Sequence, residues 1–224
     1  MPDILLIPTS LERNLIERSL RRRLGSRPAT QLPWKIELCG FGLVAAGIAT
    51  ARAIAHHRPQ RILLIGIAGA LQQSPPIGSA CRFDQVTCHG IGVGSTLTDH
   101  HRSAGDMGWA QCEACEQQAA IGDRIVIDPQ LLASGAPGGH LLSVTTASAN
   151  EAEADQRRRR FPDAVAEDME GFAVAMACQL ADIPLQIIRG LSNRAGNRDR
   201  DHWRTEQALD AALEIAWPCP GNDR

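Results

Sequence analysis

Glu12, Glu170 and Asn193 are the three polar residues whose type and position favour chemistry on a small molecule. Each follows shortly after an apolar run that is typical of a buried strand. In a mostly parallel sheet the carboxyl ends of the strands meet at one edge, and such folds bind their ligands there. Carboxylates accept hydrogen bonds or protons, and an amide both donates and accepts. The sequence therefore predicts one pocket that combines these three groups.

The acidic cluster around Glu170 also has a simpler explanation. Glu167, Asp168 and Glu170 precede an apolar, Ala-rich segment, and acidic residues favour helix N-termini. Capping explains Glu167 and Asp168 well. It explains Glu170 less well, because Glu170 lies between Met169 and Gly171. We therefore expect Glu167 and Asp168 to be structural residues and Glu170 to be the functional acid.

Strand-like apolar runs alternate with helix-like segments along the chain. The predicted strands are Asp3–Pro8, Trp34–Cys39, Arg61–Ile67, Ala80–Cys88, Asp123–Ile127, His140–Thr146, Ala164–Ala166 and Leu185–Leu191. The predicted helices are 10–25, Leu43–His57, Asn150–Arg160, an Ala-rich helix after Glu170, and Trp203–Ile215. This alternation predicts a single three-layer α/β domain over residues 1–217, with a C-terminal tail at 218–224. Its central sheet is expected to be mixed, mostly parallel and twisted, with helices flanking it.

Four further patterns carry structural expectations. Ala68–Ala70 is predicted to be a small-residue turn after the third strand, and His89–Asp123 a long loop over the site. Arg157–Arg160 is interpreted as a solvated helix end. Cys112 and Cys115 have metal-ligand spacing, but a zinc site needs four convergent ligands, so we expect no metal.

The composition places the chain among ordinary globular domains, with 224 residues, of which 44% are apolar and 21% charged. A net charge of −2 gives no electrostatic reason to expect nucleic acid or an anionic membrane as a partner. No apolar run is long enough to span a bilayer, and residues 1–10 lack the basic start of a signal peptide. The seven scattered cysteines fit reduced thiols. A cytoplasmic location is therefore expected.

Three motifs give the chain a resemblance to the nucleoside phosphorylase and nucleosidase superfamily. They are Gly66–Ala70, Asp168–Gly171 and Arg189–Asn193. Within that superfamily, the run Gly196–Arg200 with the later Trp203 resembles the futalosine hydrolase family. Two other features favour the same family: the last strand ends in Ser-Asn where adenine-directed nucleosidases have Ser-Asp, and the first strand ends in Pro-Thr-Ser-Leu-Glu.

The resemblance implies hydrolysis of the N-glycosidic bond of futalosine, a step of menaquinone biosynthesis that releases hypoxanthine and dehypoxanthine futalosine without a cofactor. It implies that Glu170 binds the ribose, against which Met169 packs. It implies that Glu12 is the base that activates water, unless Glu12 is only a solvated carboxylate in the first helical turn. It places Asn193 beside the departing base, unless this residue merely ends its strand in a turn.

Further contacts are implied by position alone. Futalosine carries a carboxylate, which favours a nearby arginine. Arg198 is our choice, with Arg200 as the alternative, unless both only pair with Asp199 and Asp201 at the surface. The remaining substrate-binding positions implied by the resemblance are Ala68, Gly69, Ala149 and Asn150.

Three rival activities remain open. A purine nucleoside phosphorylase would surround phosphate with arginines, whereas Gln72 and Gln73 follow the third strand here and Glu12 would repel the anion; Arg13 keeps this rival open. A methylthioadenosine or S-adenosylhomocysteine nucleosidase is disfavoured by Asn193. A non-catalytic nucleoside-binding module is disfavoured by the retention of all three polar groups. Relatives are usually homo-oligomers, so we expect a dimer or a larger assembly.

Overall fold

The computed structural model describes residues 3–24, 32, 34–98, 100–114, 119–127 and 139–217. The predicted tail at 218–224 and Cys115 lie outside the described residues. Within the described ranges, no helix combines the length and the apolar character that crossing a membrane requires.

Short runs rich in Ile, Leu and Val form the sheet, in keeping with the preference of such residues for strands. The strands are β1 (Asp3–Ile7), β2 (Trp34–Leu38), β3 (Ile62–Ala70), β4 (Ala80–His89), β5 (Gly92–Val93), β6 (Arg102–Ser103), β7 (Arg124–Val126), β8 (Gly139–Val144), β9 (Ala164–Asp168) and β10 (Leu185–Arg194). β5 and β6 pair only with each other, and the other strands share one sheet.

The main sheet is mixed and mostly parallel, as the alternating sequence predicts. Its strand order is β10-β4-β8-β9-β3-β1-β2, with β7 added beside β4. Of its pairings among the described residues, β4–β7, β4–β10 and β3–β9 are antiparallel and the rest are parallel. β10 also pairs with β3, so β3, β9, β8, β4 and β10 close into a ring. This closure brings the ends of β3, β9 and β10 together.

Helices cover both faces of the sheet and give the three layers expected from the sequence. The helices are α1 (Ser10–Leu24), α2 (Leu43–His57), α3 (Glu151–Arg160), α4 (Gly171–Leu180) and α5 (Thr205–Ala216). One hydrophobic cluster joins α1 and α5 to the sheet through Ile16, Leu20, Leu209 and Leu213. A second cluster joins α2 and α4 to the opposite face.

β3, β9 and β10 run two or three residues further than the sequence predicts, and β4 runs one residue further. The predicted turn at Ala68–Ala70 is wrong, because β3 continues to Ala70. β9 continues to Asp168 and β10 to Arg194. The extra residues find ladder partners across the closed sheet, with Gly69 opposite Glu167. Considered locally, a run of small residues favours a turn. Here the flanking strands β9 and β10 supply backbone hydrogen bonds, and these bonds extend β3 through Ala70.

The predicted long loop at His89–Asp123 is largely irregular. The described part of this segment contains the end of β4 at His89, the ribbon of β5 and β6, a short 3-10 turn at Gly105–Met107 and an isolated bridge between Cys112 and Ile121. The main sheet and its closure, rather than this segment, therefore fix the geometry of the strand ends that carry the polar groups.

Candidate active site

Arg189 lies at the centre of the candidate site and is fully buried in β10. In the parallel ladder its register partner in β3 is Gly66. A Cβ at Gly66 would overlap Nη1 of Arg189, so the absence of a side chain there lets the guanidinium pass over β3. The cation thereby reaches Asp168 at the end of β9 and Glu170 at the start of α4.

Asp168 is one of the two carboxylates that neutralise Arg189. Nη2 of Arg189 donates to Oδ2 of Asp168 and, at 3.2 Å, to Oε2 of Glu170. Asp168 also accepts from the Ser143 hydroxyl at 2.5 Å and from the backbone N–H of Gly171 at 2.8 Å. The predicted capping role of Asp168 at α4 is confirmed, and its pairing with Arg189 adds to it.

Glu170 is buried at the N-terminus of α4, where both carboxylate oxygens have donors. Oε1 accepts from the backbone N–H of Gly42 at 3.1 Å, and Oε2 accepts from Arg189. Burial raises the pKa of Glu170 to about 7; Arg189 and the Gly42 N–H lower it, and the negative charges of Asp168 and Glu12 add to the rise. The acid is therefore poised to change its charge near neutral pH, a property common at functional sites.

Glu12 lies in the first turn of α1 but is 4% exposed, so it is not the solvated carboxylate of the alternative interpretation. Its Oε1 accepts from the backbone N–H of Ile67 at 2.9 Å, and its Oε2 accepts from the Thr9 hydroxyl. A Cβ at Gly66 would lie 2.9 Å from this Oε1, so Glu12 and Arg189 approach the same glycine. β1 and β3 thus bring Glu12 close to the acids around Arg189.

Burial opposes the charge of Arg189, but the carboxylates of Asp168, Glu170 and Glu12 offset burial and raise its pKa. One permanent cation thus faces three acids inside the protein. The arrangement keeps the acids close together without requiring all of them to be neutral.

Asn193 is buried near the end of β10 and lies in the strand, not in a turn. Its Oδ1 accepts from the Ser192 hydroxyl at 2.8 Å. Its Nδ2 donates to the backbone carbonyls of Arg194 at 2.8 Å and of Asn197 at 3.1 Å. Both ends of the amide are therefore held, and the carbonyl of Asn197 occupies a donor that a ligand would need.

The prediction that Arg157–Arg160 is a solvated helix end is wrong for Arg157. This side chain is 4% exposed and pairs with Glu167, which is equally buried. The sequence does not distinguish Arg157 from the three arginines that follow it. The fold shows that Arg157 is buried on the same helix as Ala154.

Ala149 and Asn150 lie at the start of α3. Asn150 is its N-cap and accepts from the backbone N–H of Glu153 at 3.1 Å. The backbone N–H of Ala149 donates to Oε2 of Glu153 at 2.8 Å. The structure thus gives both residues a capping geometry, and their contact with a purine stays a prediction.

Four predicted positions remain, namely Ala68, Gly69, Met169 and Arg198. Ala68 is buried, and its carbonyl accepts from Ser192 at 3.4 Å. A Cβ at Gly69 would lie 3.3 Å from Cα of Ala195, in the segment after Asn193. Met169 is half-buried, while Arg198 is exposed with its guanidinium 5.2 Å from the Trp203 ring centre.

Among the described residues, no group of three or more His, Cys, Asp or Glu side chains is arranged to hold a metal ion.

Comparison with known proteins decides the family. Residues 33–217 match the profile of the Phosphorylase superfamily. The chain is 31% identical to the futalosine hydrolase of Thermus thermophilus over 213 residues, which cover 93% of this chain and 90% of that protein. It is 31% identical to the futalosine hydrolase of Streptomyces coelicolor over 187 residues, 78% of this chain and 76% of the relative.

The chain belongs to the phosphorylase superfamily and, within it, to the futalosine hydrolase family. The resemblance read from the motifs is confirmed, and the chain is an N-glycosidic hydrolase of that family.

Solved structures share the fold of this family member. The native futalosine hydrolase of Helicobacter pylori superposes with a TM-score of 0.67 at 18% identity, covering 96% of this chain and 95% of that one. A methylthioadenosine/S-adenosylhomocysteine nucleosidase of Neisseria meningitidis, in complex with methylthio-immucillin-A, gives a TM-score of 0.69 at 18% identity, covering 96% and 97%. The predicted nucleoside phosphorylase-like fold is confirmed.

Arg189 is the central residue of this family member that sequence reasoning did not single out. Its signal was available, because it is the one charged residue in the apolar run Leu185–Leu191. A charge inside a buried strand requires a partner, since an unpaired buried charge is very costly. The acids that pair with Arg189 are brought to it by the closed sheet, in which Gly66 leaves room for the guanidinium. The sequence does not show that closure.

The raised pKa of Glu170 predicts a pH-dependent loss of stability. Glu170 takes up its proton at about pH 7 in the folded state and at about 4.5 when unfolded. Between these values the folded state binds more protons, so the free energy of unfolding attributable to Glu170 falls as pH rises. The free energy of unfolding of Glu170→Gln, measured relative to that of the wild type, should therefore rise by roughly 2 kcal/mol from pH 5 to pH 8.

Urea unfolding of both proteins at the two pH values measures this difference. The variant must be compared with the wild type at each pH because other groups also titrate. Burial lowers the pKa of His89 to about 4, so the free energy of unfolding attributable to His89 falls as the pH drops below 6.5. An advantage of the variant that does not change with pH would contradict the raised pKa.

Proposed function

We propose that the chain hydrolyses the N-glycosidic bond of futalosine, releasing hypoxanthine and dehypoxanthine futalosine for menaquinone biosynthesis in the cytoplasm. One observation carries the proposal: buried Glu12 approaches Gly66, buried Glu170 accepts from the Arg189 guanidinium that passes over this glycine, and Asn193 lies further along the strand of Arg189. This is the set of groups that a nucleosidase needs, in a chain of the futalosine hydrolase family.

Glu170 is the proposed ribose ligand. Cleavage passes through an oxocarbenium-like sugar, whose positive charge strengthens hydrogen bonds from the ribose 2′- and 3′-hydroxyls to a carboxylate. Gly42 and Arg189 hold the carboxylate in one orientation, so little reorganisation is needed when the charge develops. Met169, half-buried in the preceding position, is the proposed apolar contact to the sugar.

Glu12 is the proposed general base. The Ile67 N–H and the Thr9 hydroxyl each take one carboxylate oxygen. Each oxygen keeps a second lone pair, which can accept from water. The carboxylate can therefore orient a water molecule and accept its proton without losing its own anchors.

Glu12→Gln should lower kcat by about 10²- to 10⁴-fold, the range expected for loss of a general base. The amide oxygen still accepts from Ile67, so binding of substrate should change little. Steady-state kinetics and the affinity for hypoxanthine measure the two effects. Turnover within a few-fold of the wild type would rule out Glu12 as the base.

Asn193 is the proposed contact to the departing base. Because the Ser192 hydroxyl fixes Oδ1, the amide presents its NH₂ group toward the 194–197 segment. If purine N7 or a 6-oxo group took the place of the Asn197 carbonyl as acceptor, Nδ2 of Asn193 would remain hydrogen-bonded. An amide donor suits a 6-oxopurine, which offers acceptors at both positions.

Asn193→Asp should reduce activity on hypoxanthine nucleosides, because a carboxylate would face the carbonyls of Arg194 and Asn197 without protons to donate. The ratio of kcat/KM for futalosine to that for methylthioadenosine measures the effect. The ratio should fall by an order of magnitude or more, the size of a lost buried hydrogen bond. An unchanged ratio would show that Asn193 does not read the base.

Arg198 is the proposed partner of the substrate carboxylate. It lies on the segment that follows Asn193, with its guanidinium over Trp203. The indole N–H of Trp203 donates to the carbonyl of Asn197 at 3.2 Å, so the cation and the amide lie on one connected segment. The exposed charge is free to turn toward an anionic group at the edge of the site.

A homo-oligomer is the proposed assembly. A groove of about 620 Å³ lies between α2 and α4 and is lined largely by apolar side chains. Val44 is 78% and Ile48 59% exposed along α2, which is unusual for large apolar residues on a soluble surface. Phe41, 67% exposed, adjoins Gly42, so a second copy covering this face would also enclose the edge of the site near Glu170.

Val44→Glu should therefore shift the protein toward monomers in sedimentation velocity. The matched control is Val126→Glu, which places the same charge at a residue 72% exposed on β7, away from the groove. A wild type that sediments as a monomer, or equal effects of the two variants, would contradict this interface.

The activity itself is tested by incubating the protein with futalosine, inosine and methylthioadenosine, with and without phosphate, and identifying the released base. Hypoxanthine from futalosine without phosphate, in preference to the other two, is expected. Arg198→Met should remove much of the preference for futalosine over inosine. Strict phosphate dependence would indicate a phosphorylase, and preferred release of adenine an adenine-directed nucleosidase.

The pathway and the location are tested in a bacterial strain that lacks its own futalosine-cleaving enzyme. Expression of the chain in the cytoplasm should restore menaquinone, while the Glu12→Gln variant should not. Failure of the active protein to restore menaquinone would limit the proposal to the reaction in vitro.

A further inference from the structure

Among the residues that the structure describes, the ion pair of Arg157 and Glu167 is the most buried pair of charges that the proposed catalytic roles leave unused. Both side chains are 4% exposed. Nη1 of Arg157 donates to Oε2 of Glu167 and, at 2.6 Å, to the Ser148 hydroxyl. The hydroxyl in turn donates to Oε2 of Glu167 at 2.8 Å. Three side chains, from α3, from β9 and from the segment that precedes α3, thus form a closed triangle.

The triangle holds the segment 146–150, which links β8 to α3. Nη2 of Arg157 donates to the carbonyl of Thr146 at 2.5 Å, and the backbone N–H of Ser148 donates to Oε1 of Glu167 at 2.8 Å. Two successive points of the backbone are therefore tied to one buried ion pair. Ser148 itself is fully buried, which leaves no water to replace these bonds.

The segment 146–150 packs against the segment 193–197, which begins with Asn193. A Cβ at Gly196 would overlap the carbonyl of Asn150, so the two backbones are in direct contact. Gly69 lies beside both Glu167 and the segment 193–197, since a Cβ there would lie 3.4 Å from Cγ of Glu167 and 3.3 Å from Cα of Ala195. The ion pair is therefore bonded to the segment 146–150 and lies close to the segment 193–197.

The geometry points to Arg157 and Glu167 as positioning residues that set the segment 146–150 against the segment 193–197 and so determine how tightly the purine is held. This inference rests on the proposed function, because it takes the space beside Asn193 as the purine site. A buried ion pair adds little stability compared with apolar side chains of the same size. Its five directed bonds instead fix the segment 146–150, against which the segment 193–197 packs, and small displacements of binding groups lower affinity steeply.

The test uses the double variant Arg157→Met with Glu167→Gln, which removes both charges and so leaves no unpaired buried ion. The matched control is Arg158→Met, which breaks the half-exposed ion pairs of the next residue on the same helix with Glu151 and Asp155. Calorimetric titration with hypoxanthine gives the affinity for the base, thermal unfolding gives the stability, and the pH dependence of kcat/KM reports the ribose side.

The double variant should bind hypoxanthine about 10- to 100-fold more weakly, with KM for futalosine rising in step, while the control keeps wild-type affinity. Its acid limb in kcat/KM should stay in place, because Glu170 and Arg189 are untouched. Should the double variant fail to fold, Ser148→Ala removes one member of the triangle, and a weaker affinity for hypoxanthine is again expected.

A folded variant that binds hypoxanthine within twofold of the wild type would overturn the inference and leave the proposed reaction intact. Equal losses in the control would overturn it as well, since a general weakening of α3 would then explain the result. A wild type that binds hypoxanthine but does not release it from futalosine would overturn the proposed function alone. A wild type that binds no hypoxanthine would overturn both.

Discussion

The burial of one permanent cation, Arg189, is the constraint on which the rest of the site depends. A guanidinium without exposure to water is tolerated only if acids neutralise it at hydrogen-bonding distance. Asp168 and Glu170 do so from the far side of β3, and Gly66 provides the gap through which the charge reaches them. The positions of three strands are thus tied to one side chain.

The same constraint sets the electrostatics of the acids. Without Arg189, the carboxylates of Asp168, Glu170 and Glu12 would repel one another in a medium that already disfavours charge. With it, their negative charges are offset by one buried positive charge, and burial raises the pKa of Glu170 to about 7. A carboxylate held at that balance suits a developing sugar cation, because it gains most when a positive charge appears next to it.

The polar groups of the site were predictable from the sequence to the extent that strand ends are predictable. Glu12, Glu170 and Asn193 each follow an apolar run, and the rule that ligands bind at the carboxyl ends of strands selects them. The roles of Arg189 and Arg157 were not predictable in this way, because they depend on contacts between distant segments. Gly66 in β3 and Glu167 in β9 provide those contacts only once the sheet has closed into a ring.

The same limit applies to the lengths of the strands and to the amide of Asn193. Small residues at Ala68–Ala70 favour a turn locally, and only pairing with β9 and β10 keeps them in a strand. The sequence predicts an amide beside the base, whereas the structure shows both of its ends already bonded to neighbouring groups. Binding of a purine then becomes an exchange of hydrogen-bond partners.

The central claim, that an ionised Glu170 held by Arg189 works at the ribose, is tested most directly by the pH dependence of kcat/KM for futalosine. The profile reports the protonation states of the free enzyme. An acid limb with an apparent pKa near 7 is expected, and the residual activity of Glu170→Gln should lack it. Constant kcat/KM from pH 8 down to pH 5 in the wild type would contradict the claim.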